Sequence, residues 1–134
     1  MEKFAFILHP LSLQDMEHLS PLMRYIPDPI IEACLKMKKP FKVSHITGIK
    51  SPYAEAEGWF IGCPLTAKQM VELPEEFVMD RIIESGKVAQ ELGAKIVGLG
   101  AFTSIVGDAG ITVAKNLDIA VTSGNSYTVA TAIQ

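Results

Sequence analysis

Two short segments carry most of the polar chemistry in this chain, and each closes an apolar run. Phe102-Thr103-Ser104 follows Ile96-Val97-Gly98-Leu99-Gly100-Ala101. Hydroxyls at the carboxyl end of a strand lie where open α/β sheets bind their ligands. Thr122-Ser123-Gly124-Asn125-Ser126 follows Ile119-Ala120-Val121 and opens a helical stretch. Backbone N–H groups, hydroxyls and an amide at a helix start suit an anion or a polar substrate. An ordinary Asx or Ser cap is the alternative. His9 ends the first apolar run, just before Pro10. A histidine there either binds substrate and moves a proton, or hydrogen-bonds the turn. The candidate substrate-binding residues are therefore His9, Gly100, Phe102, Thr103, Ser104, Thr122, Gly124, Asn125 and Ser126.

Other chemistry is argued against by spacing. Gly98-Leu99-Gly100 begins a GxGxxG pattern, but Thr103 stands where the third glycine lets helix and strand pack closely. Asp118 is the one acid near the distance at which such folds hold a ribose, and too little chain follows for the rest of a dinucleotide-binding unit. No cofactor is expected in this segment. Gly98 and Gly100 then serve to let the backbone approach a ligand or another element. Ser104 lacks the GxSxG of a nucleophile elbow. Cys63 would need a lowered pKa to act as a nucleophile, and its apolar neighbours Trp59, Phe60 and Ile61 favour a buried structural thiol. Cys34 and Cys63 form no CxxC and pair with no histidine at metal spacing. His18 and His45 have no patterned partner.

The elements that must position these residues alternate along the chain. Residues 4–9 read as a buried strand. Ser12 opens a helical pattern through Leu13, Met16, Leu19 and Leu22 or Met23, with Asp15 completing a capping-box-like pair. Pro27 and Pro29 break it, and Pro29–Leu35 reads as a second short helix. Residues 41–49 and 58–64 form two strands of a hairpin through Ser51-Pro52-Tyr53. Thr66 starts a helix over 67–73. Pro74-Glu75-Glu76 starts a longer one, buried through Val78, Ile82, Val88, Ala89 and Leu92 and stopped at Gly93. A strand over 95–102 follows at once. The run 111–117 fits strand or helix equally. A strand over 119–122 leads to a last helix, Tyr127 to Gln134, capped by Ser126. The alternation predicts a three-layer α/β domain with a mixed sheet.

Composition agrees. The 134 residues suffice for one domain, and with 49% hydrophobic and 20% charged residues a packed core is expected. The net charge of -3 offers no basic stripe for nucleic acid. Lys36, Lys38 and Lys39 read as the solvated end of a helix. No apolar run is long enough for a membrane span, and the free thiols and absent leader pattern point to the cytoplasm.

Several stretches resemble the N-terminal region of the long-chain acyl-ACP reductases and their shikimate- or amino-acid-dehydrogenase-like relatives. They are Phe6-Ile7-Leu8-His9-Pro10-Leu11-Ser12-Leu13, Gly58-Trp59-Phe60-Ile61-Gly62-Cys63-Pro64-Leu65, Leu99-Gly100-Ala101-Phe102-Thr103-Ser104-Ile105 and Thr122-Ser123-Gly124-Asn125-Ser126-Tyr127-Thr128. The resemblance implies a single substrate-side domain over 1–134, followed in the parent chain by a Rossmann domain for NADP(H). It also implies reduction of an acyl thioester to an aldehyde through a cysteine thioester. The family's nucleophilic cysteine and glycine fingerprint lie beyond the matched region, and residues 105–121 depart from the family pattern. The apolar Val129, Ala130, Ala132 and Ile133, reached without a C-cap, lead to the expectation that the last helix continues into that second domain, or frays, or pairs with a second copy as a homodimer. The segment by itself is expected to be inactive. A self-contained binding or interaction module is the alternative, and a small enzyme acting through His9 or Cys63 a third.

Overall fold

The computed structural model describes residues 1–14, 20–108 and 110–133, except the side chains of Ala101 and Phe102. The elements run β1 (Glu2–Leu8), a 3-10 turn (Pro21–Tyr25), α1 (Asp28–Met37), β2 (Phe41–Lys50), β3 (Glu55–Gly62), α2 (Ala67–Glu72) and α3 (Glu75–Glu91). Then follow β4 (Ile96–Leu99), a 3-10 turn (Ala101–Ser104), α4 (Ile111–Lys115), β5 (Ala120–Thr122) and α5 (Asn125–Ala132). The five strands form one sheet in the order β2-β3-β1-β4-β5. β3, β1, β4 and β5 are parallel and β2 is an antiparallel edge. The domain is α/β with a mixed sheet flanked by helices, consistent with the expected three-layer arrangement.

Strand alternation sorts the side chains. Ala5 and Ile7 of β1 pair with Trp59 and Ile61 of β3 and with Val97 and Leu99 of β4, and all six are buried. Met70 of α2, Val78, Ile82 and Ala89 of α3 and Val113 of α4 close over this face to form the core. The other face carries Phe4, Phe6 and Leu8, with Phe6 and Leu8 still 43% and 40% exposed. Glycines lie opposite the two rings. A Cβ on Gly58 would sit 2.5 Å from the Phe4 ring and one on Gly98 2.4 Å from Phe6, so these strand glycines make room for cross-strand aromatics.

The helices start and stop for local reasons. Thr66 and Gln69 form a reciprocal capping box on α2. Glu75 and Glu76 face the positive end of α3, which stops at Gly93 with φ +89°. α1 sits beside this layer: Gln69 Nε2 donates to the Glu32 carbonyl at 2.9 Å and an Arg81 guanidinium N–H to the Lys36 carbonyl at 2.6 Å. Its Ile31 and Leu35 form a small separate apolar cluster with Leu13 and Met23. Lys38 lies 4.2 Å from the centre of the Phe41 ring, a cation–π contact at the helix end.

Three readings are corrected or resolved. The strand expected over 95–102 spans only Ile96–Leu99, because the chain turns at Gly100 into the 3-10 turn Ala101–Ser104. The run from 111 is helical over 111–115, because Asp108 ties down its first turn. The Asp108 carboxylate accepts from the Thr112 N–H at 3.0 Å and from its hydroxyl at 2.6 Å. The last helix begins at Asn125, two residues before the expected start. Gly124, at φ +76°, turns the chain early, and Ser126 is not its cap. The expected capping pair of Ser12 with Asp15, and His18, involve residues outside the described set.

Candidate functional site

The strand order determines where a ligand can enter. From β1 the chain moves to one side, through α1 to the β2–β3 hairpin. From β3 it crosses back over β1 to β4 and on to β5. Connections leaving β1 and β4 thus diverge at their carboxyl ends, which makes this edge a topological switch point, the place where open α/β sheets bind ligands. His9 follows β1 there, and Gly100 to Ser104 follow β4. Because β5 is parallel to β4 and pairs with it, Thr122 to Ser126 leave from the same rim. The two polar segments, far apart in sequence, follow neighbouring strands at one end of the sheet.

The geometry at this rim differs from residue to residue. His9 is half-buried, with Nδ1 3.1 Å from the Pro10 carbonyl oxygen, so the ring is held by its own turn. The Gly100 N–H donates to the Ile7 carbonyl at 3.2 Å, and a Cβ on Gly100 would meet that oxygen at 2.8 Å. The absent side chain of Gly100 is explained by this approach of backbone to backbone. Thr103 is buried, and its hydroxyl donates to the Gly100 carbonyl at 2.7 Å, closing the 3-10 turn. Ser104 is half-buried beside it. The Phe102 side chain lies outside the described set. Thr122 Oγ1 accepts from the Gly124 N–H at 3.1 Å, and Asn125 and Ser126 are exposed in the first turn of α5.

Cys63 lies on the helix-covered face of the sheet. It is fully buried, and burial pushes its thiol up to about 11 despite a contact with Ser85. A thiol so disfavoured as thiolate is a structural residue. Asp118 has a structural partner as well: its carboxylate accepts from Gln90 Nε2 at 3.2 Å and its N–H donates to Gln90 Oε1 at 2.9 Å, tying the loop before β5 to α3.

Two features have no local signal in the sequence. The first is a cavity of about 510 Å³ at the carboxyl side of β1 and β3. Leu11, Ser12, Leu13 and Gln14 form one wall directly beyond His9, and Met23, Arg24 and Ile26 form another. Asp28, Ile31 and Glu32 of α1, with Thr66 and Lys68 at the start of α2, complete it. The second is a charged group at the opposite end of the sheet. Glu57 lies 3.1 Å from His45 Nε2 and 3.3 Å from Lys3 Nζ, and these contacts hold its carboxyl below the usual range. The His45 ring stacks on Trp59 with centroids 5.3 Å apart. Cross-strand register brings these residues together. No group of three or more potential metal ligands occurs among the described residues, and no helix among them is long and apolar enough to cross a membrane.

No protein-family model matches the chain. An 87-residue stretch, 65% of the chain, is 38% identical to part of Aminotransferase PigE from Serratia sp. (strain ATCC 39006). The match spans 10% of that protein's length.

Proposed function

We propose that this chain is the substrate-side domain of an NAD(P)H-dependent oxidoreductase that reduces an acyl thioester, carried on a protein or on coenzyme A, to an aldehyde. The observation that carries the reading is the shared rim. Three segments that resemble the acyl-ACP reductases, containing His9, Thr103-Ser104 and Thr122 to Ser126, lie at the carboxyl ends of parallel strands at the same end of the sheet, at its switch point.

In such a reaction, as the resemblance implies it, the acyl group passes from its carrier to a cysteine, the carrier thiol leaving with the cysteine's proton; a hydride then reaches the acyl carbon, the carbon–sulfur bond to the cysteine breaks, and the cysteine takes up a proton. NADP(H), if held by a further domain as the resemblance implies, would supply the hydride. The role of this chain is to bind and orient. Backbone N–H groups in the first turn of α5 would offer donors to the acyl oxygen, and His9 is held by the Pro10 carbonyl at the end of β1. Thioester reduction yields an aldehyde, the class of carbonyl compound that accepts amino groups, so the reading is chemically compatible with the partial similarity to an aminotransferase. The cytoplasm is the compartment where both reactants would be met.

Calorimetric titration tests the proposal. An acyl-coenzyme A should bind the chain with a dissociation constant of about 100 μM or tighter, roughly 5.5 kcal/mol, and NADPH should give no heat. Binding of NADPH without the thioester would overturn it.

A further inference from the structure

We infer that the cavity beyond His9 receives the pantetheine arm of the thioester carrier. This rests on the reading of the chain as a thioester-binding domain and adds a location for the carrier. Leu11 lies two residues after His9, so the cavity wall is a direct continuation of the β1 end at the topological switch point. The cavity lies toward β3 while the polar rim segments lie toward β4 and β5. A ligand held in both would span the carboxyl end of β1, with its carrier portion on one side and its acyl carbon on the other.

The lining selects the class of ligand. Its volume of about 510 Å³ falls within the range of small-molecule sites. Among the described residues, the lining holds two cations, Arg24 and Lys68, and two carboxylates, Asp28 and Glu32, so their charges balance. Lys68 already lies 3.6 Å from Glu32. A polyanion is poorly accommodated inside such a wall. Apolar Leu11, Leu13, Met23 and Ile26 alternate with Ser12 and Gln14. That mixture suits a neutral chain with amides and one branched apolar unit, which describes pantetheine. The arm's terminal phosphate would stay near the mouth, within the influence of the exposed Lys68 and of Arg24.

The test uses coenzyme A without an acyl group, titrated into the chain and followed by methyl NMR, together with Leu11→Asp and Lys68→Glu. Leu11 is 66% exposed and the Lys68 side chain 62% exposed, so neither substitution threatens the core. The inference expects shifts of the Leu11, Leu13, Met23 and Ile26 methyls, and weakening of about tenfold or more in Leu11→Asp. Shifts confined to the neighbourhood of Ser104 and Thr122, with Leu11→Asp binding normally, would overturn the placement and leave the thioester reading standing. Absence of binding by both coenzyme A and acyl-coenzyme A would overturn both.

Discussion

At the residue scale, Thr103 and Cys63 show how burial redirects side chains that look reactive in sequence. The Thr103 hydroxyl donates to the Gly100 carbonyl and is used inside the 3-10 turn. Cys63 is buried with its thiol raised to about 11, whereas Cys34 is exposed. Thiol titration of the native chain should therefore count one fast cysteine, with the second reacting only after denaturation. Two fast thiols would mean that β3 opens readily. Asp108 gives a pH prediction. Hydrogen bonds from the Thr112 hydroxyl and N–H hold its carboxyl below the ordinary value of 3.8. The folded state thus favours the charged form, and the stabilisation is present above that value and lost as pH falls through the lower folded value. In urea unfolding, Asp108→Asn should be less stable than the native chain at pH 7, and the gap should narrow below about pH 3.8, Asp108's unfolded-state value. A gap that is constant with pH would show that the carboxylate charge is not used.

At the element scale, much of the architecture was legible because local signals and burial agree. The hairpin turn at Ser51, the helix start at Thr66, the acidic start of α3 and its stop at Gly93 all sit where sequence chemistry puts them. The placement of Thr103-Ser104 and of Ser123 to Ser126 beyond parallel neighbours was legible too, since each follows an apolar strand. Residues 111–117 were ambiguous because five helical residues give less than two turns of periodicity, and the deciding contact, Asp108 with Thr112, is a single local cap. The cavity and the Glu57 group were hidden because register and packing assemble them from distant segments. α5 is an element of another kind: none of its residues is buried, and Tyr127, Val129 and Ile133 are exposed. An element without buried surface contributes little to stability, and exposed apolar side chains favour association. Truncation after Asn125 should change the unfolding free energy by less than about 0.5 kcal/mol, within the range of surface changes. Light scattering should find the truncated chain less self-associated than the full one. A monomeric full chain that loses stability on truncation would contradict this.

At the scale of the whole molecule, the domain has a helix-covered face that holds the core and a carboxyl rim that gathers the polar segments. The opposite end of the sheet bears the Lys3, His45 and Glu57 group. This polarity makes the proposed function testable by position alone. The most direct measurement is a backbone amide NMR map of the isotopically labelled chain saturated with an acyl-coenzyme A of medium chain length. The account predicts that the largest shifts fall at His9, Gly100, Thr103, Ser104, Thr122 and Gly124, all on one rim. Largest shifts around Lys3, His45 and Glu57, or no shifts at saturating thioester, would contradict it.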